Sequence, residues 1–174
     1  MDTLTEPALV VFAWGNTSRG DDAAGPILAA RLRALDAPGL VVIEDMQLQI
    51  EHTADIVVGV PVLFIDASVA ISAGFALEPL RPDPDPSVTT HAVSPRALLQ
   101  LYETAMRTPA PRAWQLHVAG RAFGLGEGQG PESRAATDGA WRFLAELLGH
   151  PATQWGRELA AAAGPQNPSV EPAA

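Results

Sequence analysis

Side chains that can bind a cation or move a proton stand at three separate points along the chain. Asp21 and Asp22 close a polar loop that follows an apolar segment, Asp66 ends a second apolar segment, and His91 lies just before a predicted helix. A loop that closes with adjacent carboxylates disfavours anionic ligands and favours a cation. A neutral imidazole is a common transition-metal ligand and pairs readily with carboxylates in such sites. The sequence thus offers candidate groups for metal or acid–base chemistry.

Each of these groups also has an ordinary structural explanation. A carboxylate is favourable at a helix N-terminus, so one of the two adjacent aspartates can cap the following helix, which leaves the other free. Asp66 can equally be a strand-end acid at an exposed tip, because an unpaired charge beside a buried strand is costly. A single loop histidine such as His91 is more often a surface residue, and we assign that role to His117 and His150. Spacing alone leaves both explanations open.

Apolar segments and helical patterns alternate along the chain and predict the elements that position these groups. Continuous apolar runs indicate strands buried on both faces, and apolar residues every three or four positions indicate helices. Such alternation favours right-handed βαβ units, so we expect a three-layer α/β/α fold with a mainly parallel twisted sheet of about five strands flanked by helices. The predicted strands are Ala8–Trp14, Leu40–Ile43, Val60–Asp66, Phe75–Leu80 (edge or antiparallel) and Trp114–Gly120, and the predicted helices are Ala24–Leu35, Met46–Asp55, Pro95–Thr108 and Ser133–Leu148.

Composition limits the partners and the chemistry. The 174 residues carry a formal net charge of -9, which repels phosphate backbones and anionic lipid surfaces, so neither nucleic acid nor membrane is an expected partner. There is no cysteine, and all 11 basic residues are arginine, which excludes thiolate metal sites, a cysteine nucleophile and Schiff-base lysine chemistry. The sequence has no long apolar run and an acidic beginning, which predict a cytoplasmic location. We expect one domain over residues 1–163 and a disordered tail over residues 164–174.

Short motifs follow one another in a fixed order between Val10 and Leu148: Gly-Asn at 15–16, Asp-Asp at 21–22, Gly25, FIDA at 64–67, and His91 before a leucine-rich helix. This series resembles the hydrogenase maturation endopeptidase family. The resemblance covers nearly the whole expected domain. Members of the family remove a C-terminal extension from the large subunit of a [NiFe] hydrogenase after nickel has been inserted. The resemblance implies that this chain is a peptidase and that its partner is such a large-subunit precursor.

The resemblance also implies which residues form the site. In the family, an acid of the first loop, an aspartate at the end of the third strand and a histidine contact the metal and are needed for catalysis. Matched motif by motif, these positions fall on Asp22, Asp66 and His91. The implied metal is nickel already held by the substrate, and no organic cofactor is expected. Two oxygens and one nitrogen leave coordination positions open, as a docking or catalytic site requires.

A second segment resembles one branch of the family and departs from others. The residues from Gln47 to His52, followed later by LFIDAS, are similar to the branch that serves soluble NAD-reducing hydrogenases. Many members carry an Asp-Gly-Gly-Thr-like turn after the second strand, where this chain has Glu44–Gln47. Recognition of the substrate is therefore expected to differ here. Gln47, Glu51 and His52 are candidate substrate-binding residues, with an exposed polar helix face as the equal alternative.

Three functions compete at this stage. With no cysteine and no serine in a nucleophile-elbow pattern, a metal-dependent aspartate/histidine endopeptidase would use water for the attack. The first alternative is a noncatalytic chaperone that binds the immature metal centre of the large subunit. A third function, hydrolysis of a small molecule with a resident divalent metal, would require metal in the purified protein. Nothing in the sequence demands more than a monomer.

Overall fold

The computed structural model describes residues 6–84 and 93–163, which form a five-stranded sheet with helices on both faces. The strand order is β2-β1-β3-β5-β4, and all neighbours are parallel except the edge strand β4, which is antiparallel to β5. The strands are β1 (Leu9–Trp14), β2 (Leu40–Asp45), β3 (Val62–Ser68), β4 (Phe75–Leu80) and β5 (Ala113–Ala119). The helices are α1 (Ala24–Ala34), α2 (Pro95–Met106), α3 (Pro131–Gly149) and α4 (Trp155–Ala162), with short 3-10 helices at Gly20–Ala23, Ile50–Asp55 and Ala152–Gln154.

Strand β1 and the first four residues of β3 are apolar because both faces of the sheet are covered there. On one face, Phe12 and Phe64 stack at 5.3 Å between ring centroids and pack in a core that includes Leu98 and Tyr102 of α2. On the other face, apolar residues of α1 and α3 cover the sheet in a second core. Burial on both sides is what a parallel sheet requires. The predicted α/β fold, including the antiparallel edge strand, is confirmed.

Two elements differ from the sequence prediction. The helix expected over Met46–Asp55 is only the 3-10 helix Ile50–Asp55, because β2 extends to Asp45 and the helical turn begins only after Gln49. The helix α4 was not predicted; it has only eight residues, and Trp155 and Leu159 anchor it in the core beside α3. None of the helices in the described ranges combines the length and apolarity needed to cross a bilayer. The predicted tail, 164–174, lies outside the described residues, and the domain boundary stays a prediction.

Two glycines bring the loop after β1 back against the end of that strand. A Cβ at Gly25 would stand 2.1 Å from the carbonyl oxygen of Trp14. A Cβ at Gly15, which has a φ of +142°, would stand 2.0 Å from the carbonyl oxygen of Asp22. Only glycine permits approaches this close. The start of α1 is therefore packed on the carboxyl end of β1, and this contact fixes where Asp22 lies.

We predict that Gly25→Ala destabilises the protein, because its methyl group would collide with a backbone carbonyl that cannot move independently. The expected loss is about 2 kcal/mol in the free energy of unfolding, or a fall of about 5 °C in the melting temperature. Gly128→Ala is the matched control, because a Cβ there would meet no atom within 4 Å. Thermal unfolding followed by circular dichroism measures both variants. Equal melting temperatures would contradict the proposed close packing.

Candidate functional site

Asp22 and Asp66 lie near the carboxyl edge of the sheet, close enough for the charge of Asp22 to act on the carboxyl group of Asp66. Asp66 belongs to β3, and the pairing of β3 with β1 ends one residue earlier at Ile65, so the end of β1 leaves room beside it. Its side chain lies on the same sheet face as that of Trp14, whose side chain hydrogen-bonds to it. Ligands of open α/β sheets bind at this edge.

The sequence analysis offered an exposed strand tip as the structural explanation for Asp66. The structure does not place Asp66 at such a tip. The strand β3 continues to Ser68, and Asp66 is half-buried and paired in register with His117 of β5. Burial raises the pKa of Asp66 to about 7, and the negative charge of Asp22 acts in the same direction. Hydrogen bonds from the Ala67 amide and the Trp14 indole oppose the shift without cancelling it. A carboxyl group that titrates near neutral pH in a cleft is typical of functional sites.

Asp22 is oriented by its own loop. Its Oδ2 accepts a hydrogen bond of 2.9 Å from the Asn16 amide, and the Asn16 side chain in turn accepts one of 2.9 Å from the Ser18 amide. No side chain caps either the 3-10 helix Gly20–Ala23 or α1. The helix-capping explanation for the paired aspartates is therefore wrong, because both carboxylates are used elsewhere.

Asp21 has a purely internal role. It is only 3% exposed, and its carboxylate accepts hydrogen bonds from the amides of Arg121 (2.7 Å), Ala122 (2.9 Å) and Gly130 (2.8 Å). Burial alone would raise its pKa, but these three bonds and one from Ser133 outweigh burial and lower the pKa below its ordinary value. Asp21 therefore stays ionised and joins the loop before α1 to the loop between β5 and α3.

The remaining metal-site candidate, His91, lies outside the described residues. Within residues 6–84 and 93–163, no three histidine, aspartate or glutamate side chains gather closely enough to hold a metal ion. The described part of the site is thus a pair of carboxylates. Its completion by His91 stays a prediction.

The three predicted substrate-binding residues lie near this edge in different environments. Gln47 and Glu51 are exposed, and Gln47 borders a small recess that Trp14 and Asp45 also line. His52 is largely buried, with its ring centroid 5.8 Å from the ring centroid of Phe12 in an edge-on arrangement. Its Nδ1 accepts a hydrogen bond of 2.9 Å from the Gln49 amide, and its Nε2 lies 3.5 Å from Oδ2 of Asp45. The His52 ring thereby closes the turn after β2, and a role of these residues in substrate binding stays a prediction.

A polar cluster missed by the sequence analysis lies beside Asp66. His117, assigned as an ordinary surface residue, is the register partner of Asp66 and shares its sheet face. Its Nε2 is 3.2 Å from Oε1 of Glu78 on β4, and that oxygen is 3.6 Å from a guanidinium nitrogen of Arg96. A sequence signal for His117 existed, because Asp66 and His117 each follow an apolar run near the end of a strand. Only the strand order shows that the two strands are neighbours.

The sheet order and the helical layers on both faces are those of the hydrogenase maturation proteases. The chain superimposes on a [NiFe] hydrogenase maturation protease HycI from Thermococcus kodakarensis KOD1 with a TM-score of 0.63 and 20% identity, covering 86% of this chain and 96% of that one. The endopeptidase HycI from Escherichia coli gives a TM-score of 0.60 and 21% identity over 79% of this chain and 89% of its own. The hydrogenase maturating endopeptidase HybD from E. coli gives a TM-score of 0.57 and 18% identity, covering 80% of this chain and 91% of that one.

The likeness is one of structure. No protein-family model matches the chain, and no curated protein matches it significantly. At identities near 20%, the superpositions establish a shared fold. The resemblance to the branch that serves soluble NAD-reducing hydrogenases stays a prediction.

We predict that Asp66→Asn stabilises the protein at alkaline pH. The folded-state pKa of about 7 lies above the ordinary value of 3.8, so the folded state holds this proton more tightly and loses stability as pH rises through that window. The variant avoids that loss. With allowance for solvent screening, its free energy of unfolding should exceed that of the parent by about 1–2 kcal/mol at about pH 8, and the difference should fall to near zero at about pH 4. Urea unfolding at both pH values measures it. Asp55→Asn, on an exposed side chain, is the control and should show no such pH dependence.

We predict the opposite effect for Asp21→Asn. Its lowered pKa means that the ionised form stabilises the fold above the ordinary pKa of 3.8, and that this contribution disappears as pH falls through the folded-state value. The asparagine side chain would place its own NH2 donor against backbone N–H donors and would lack the negative charge. The expected cost is about 2–3 kcal/mol in the free energy of unfolding at neutral pH. Urea unfolding across the acid range tests this. A variant as stable as the parent at neutral pH would show that the three amide bonds matter little.

Proposed function

We propose that this protein is an endopeptidase that removes the C-terminal extension from a nickel-loaded [NiFe]-hydrogenase large-subunit precursor. One observation carries the proposal: Asp22 and Asp66, the acids that the motif comparison selects, lie close enough at the carboxyl edge of the sheet for the charge of one to act on the other. The superposed structures are named as hydrogenase maturation proteases or endopeptidases, which supports the same activity. The proposed enzyme acts as a monomer in the cytoplasm.

In the proposed mechanism, the nickel belongs to the substrate, and no organic cofactor takes part. The carboxylates of Asp22 and Asp66, with the imidazole of His91, complete the coordination of that nickel and so hold the scissile bond near it. Metal binding requires the ionised carboxylate, so at pH below about 7 the metal must displace the proton of Asp66. The substrate's nickel would act as a Lewis acid toward the scissile carbonyl or a bound water, and because the chain has no cysteine, water would be the nucleophile. Cleavage would depend on correct metal loading.

The surface around the site favours a protein partner over a small molecule. Met46, Val69 and Leu125 follow β2, β3 and β5, so all three lie on loops at the carboxyl edge. Their exposed fractions are 66%, 75% and 80%. Exposed apolar side chains grouped around a site are typical of protein-docking surfaces. A folded large subunit whose tail reaches the carboxylate pair would cover them.

The decisive test compares nickel-loaded and nickel-free precursor with the purified protein, and follows the C-terminal extension on a gel. We expect cleavage of the loaded form only. Asp22→Asn, Asp66→Asn and His91→Ala should each slow processing by about 100-fold or more, because each removes a group that contacts the metal. Asp55→Asn serves as the control and should cleave normally. Equal cleavage of both precursor forms would refute recognition through nickel.

The same assay separates the competing functions. A noncatalytic chaperone would form a complex with the precursor without shortening it, and size-exclusion chromatography would show that complex. A small-molecule hydrolase would carry stoichiometric metal after purification, which elemental analysis measures. Full activity of all three site variants would show that the assigned residues are not the site.

A further inference from the structure

Peptide hydrolysis beside Asp66 needs a side chain that moves a proton. When water attacks a peptide carbonyl, the water must lose one proton, and the amine nitrogen must gain one as the C–N bond breaks. In the proposed mechanism, Asp22, Asp66 and His91 hold the nickel of the substrate, so their lone pairs are engaged in that contact. The group that carries the proton is therefore a different side chain on the same side of the sheet.

His117 of β5 lies beside Asp66 of β3. The two residues are partners in the parallel register. Phe64 and Ala113, an even number of positions earlier on these strands, pack in the core under α2, so Asp66 and His117 both face the α2 side of the sheet. Neighbouring strands are about 4.8 Å apart, so a water molecule bound at Asp66 can reach the His117 ring. The His117 side chain is 21% exposed, which keeps the ring open to solvent.

Glu78 of β4 orients the His117 ring. Nε2 of His117 lies 3.2 Å from Oε1 of Glu78. Because a carboxylate can only accept a hydrogen bond, Nε2 carries the proton in this pair, and Nδ1 of the neutral ring keeps its lone pair. A guanidinium nitrogen of Arg96, in the first turn of α2, lies 3.6 Å from the same Glu78 oxygen and balances its charge. A histidine held on one nitrogen by a carboxylate is the arrangement of an oriented general base.

A purely structural role explains this cluster poorly. The side chains of Glu78 and Arg96 are 47% and 40% exposed, and ion pairs with that much solvent contact contribute little to stability. The strands that the cluster connects are already joined by backbone pairing along the whole length of β4. What the Glu78 contact adds is a fixed tautomer and orientation of the imidazole next to Asp66.

We propose that His117 is the catalytic residue that transfers the proton during cleavage, and that Glu78 is its positioning residue. This proposal rests on the proposed endopeptidase function. As the water oxygen forms a bond to the carbonyl carbon, one water proton passes to Nδ1 of His117. The C–N bond then breaks, and the same proton passes from Nδ1 to the leaving amine nitrogen. The products are a carboxylic acid and an amine, and His117 is neutral again.

Substitutions of the two residues in the full chain test the proposal with nickel-loaded precursor. His117→Gln keeps a polar side chain that can hydrogen-bond to Glu78 but cannot carry the proton, and Glu78→Gln removes the carboxylate. His150→Gln and Glu146→Gln are the matched controls, because both residues are exposed at the end of α3, which covers the opposite face of the sheet. The measurements are kcat and KM for cleavage, the dissociation constant of the precursor complex, and the melting temperature.

We expect His117→Gln to lower kcat by about 100-fold or more and Glu78→Gln to lower it by about tenfold. KM, the dissociation constant and the melting temperature should stay as in the parent, and both controls should cleave normally. Imidazole added to His117→Ala should restore part of the lost kcat, which a structural role of the side chain would not permit.

Three results would overturn the proposal and leave the proposed function standing, provided that the parent protein cleaves the precursor. They are an unchanged kcat in His117→Gln, a loss of activity that lies entirely in KM, and no recovery of His117→Ala with imidazole. A parent protein that leaves the nickel-loaded precursor intact would instead overturn the proposed function, and with it the role of His117.

Discussion

The buried carboxylate of Asp21 holds together the carboxyl edge of the sheet. It accepts bonds from backbone amides that lie between 100 and 109 residues away in sequence. Hydrogen bonds to an ionised group are worth about 1.5–3 kcal/mol each, and a buried charge without them would be costly. The same contact joins the loop before α1 to the loop between β5 and α3. The carboxyl edge therefore depends on a residue that takes no part in chemistry.

Two neighbouring environments at this edge act on aspartates in opposite directions. Three amide donors lower the pKa of Asp21, whereas burial and a nearby carboxylate raise the pKa of Asp66 to about 7. The first aspartate is fixed as a charged structural anchor. The second exchanges its proton near neutral pH, and in the proposed mechanism a metal would compete with that proton. Position relative to backbone donors, and not residue type, assigns these roles.

The fold and the function rest on different kinds of support. A parallel sheet with helices on both faces hosts many activities, so superposition at about 20% identity identifies the architecture. The proposed activity depends on particular side chains at the carboxyl edge, where parallel strands end together. The exposed apolar residues at that edge are consistent with a protein substrate.

The sequence by itself determined the strands and three of the helices, and it proposed the acids of the site. Continuous apolar runs and 3.6-residue periodicity are local signals, and they located β1, β3 and α1 to within a few residues. Motif order selected Asp22 and Asp66 before any distance was known. Both signals can be recognised in the sequence alone because they depend only on the order of residues along the chain.

Only the tertiary structure decided what the polar residues do. It paired Asp21 with distant amides, placed His117 beside Asp66 with Glu78 behind it, and turned His52 into a support for the loop after β2. It also added α4, whose burial depends on contacts with α3 rather than on its own pattern. Strand order and long-range hydrogen bonds set these contacts, and no local periodicity encodes either of them.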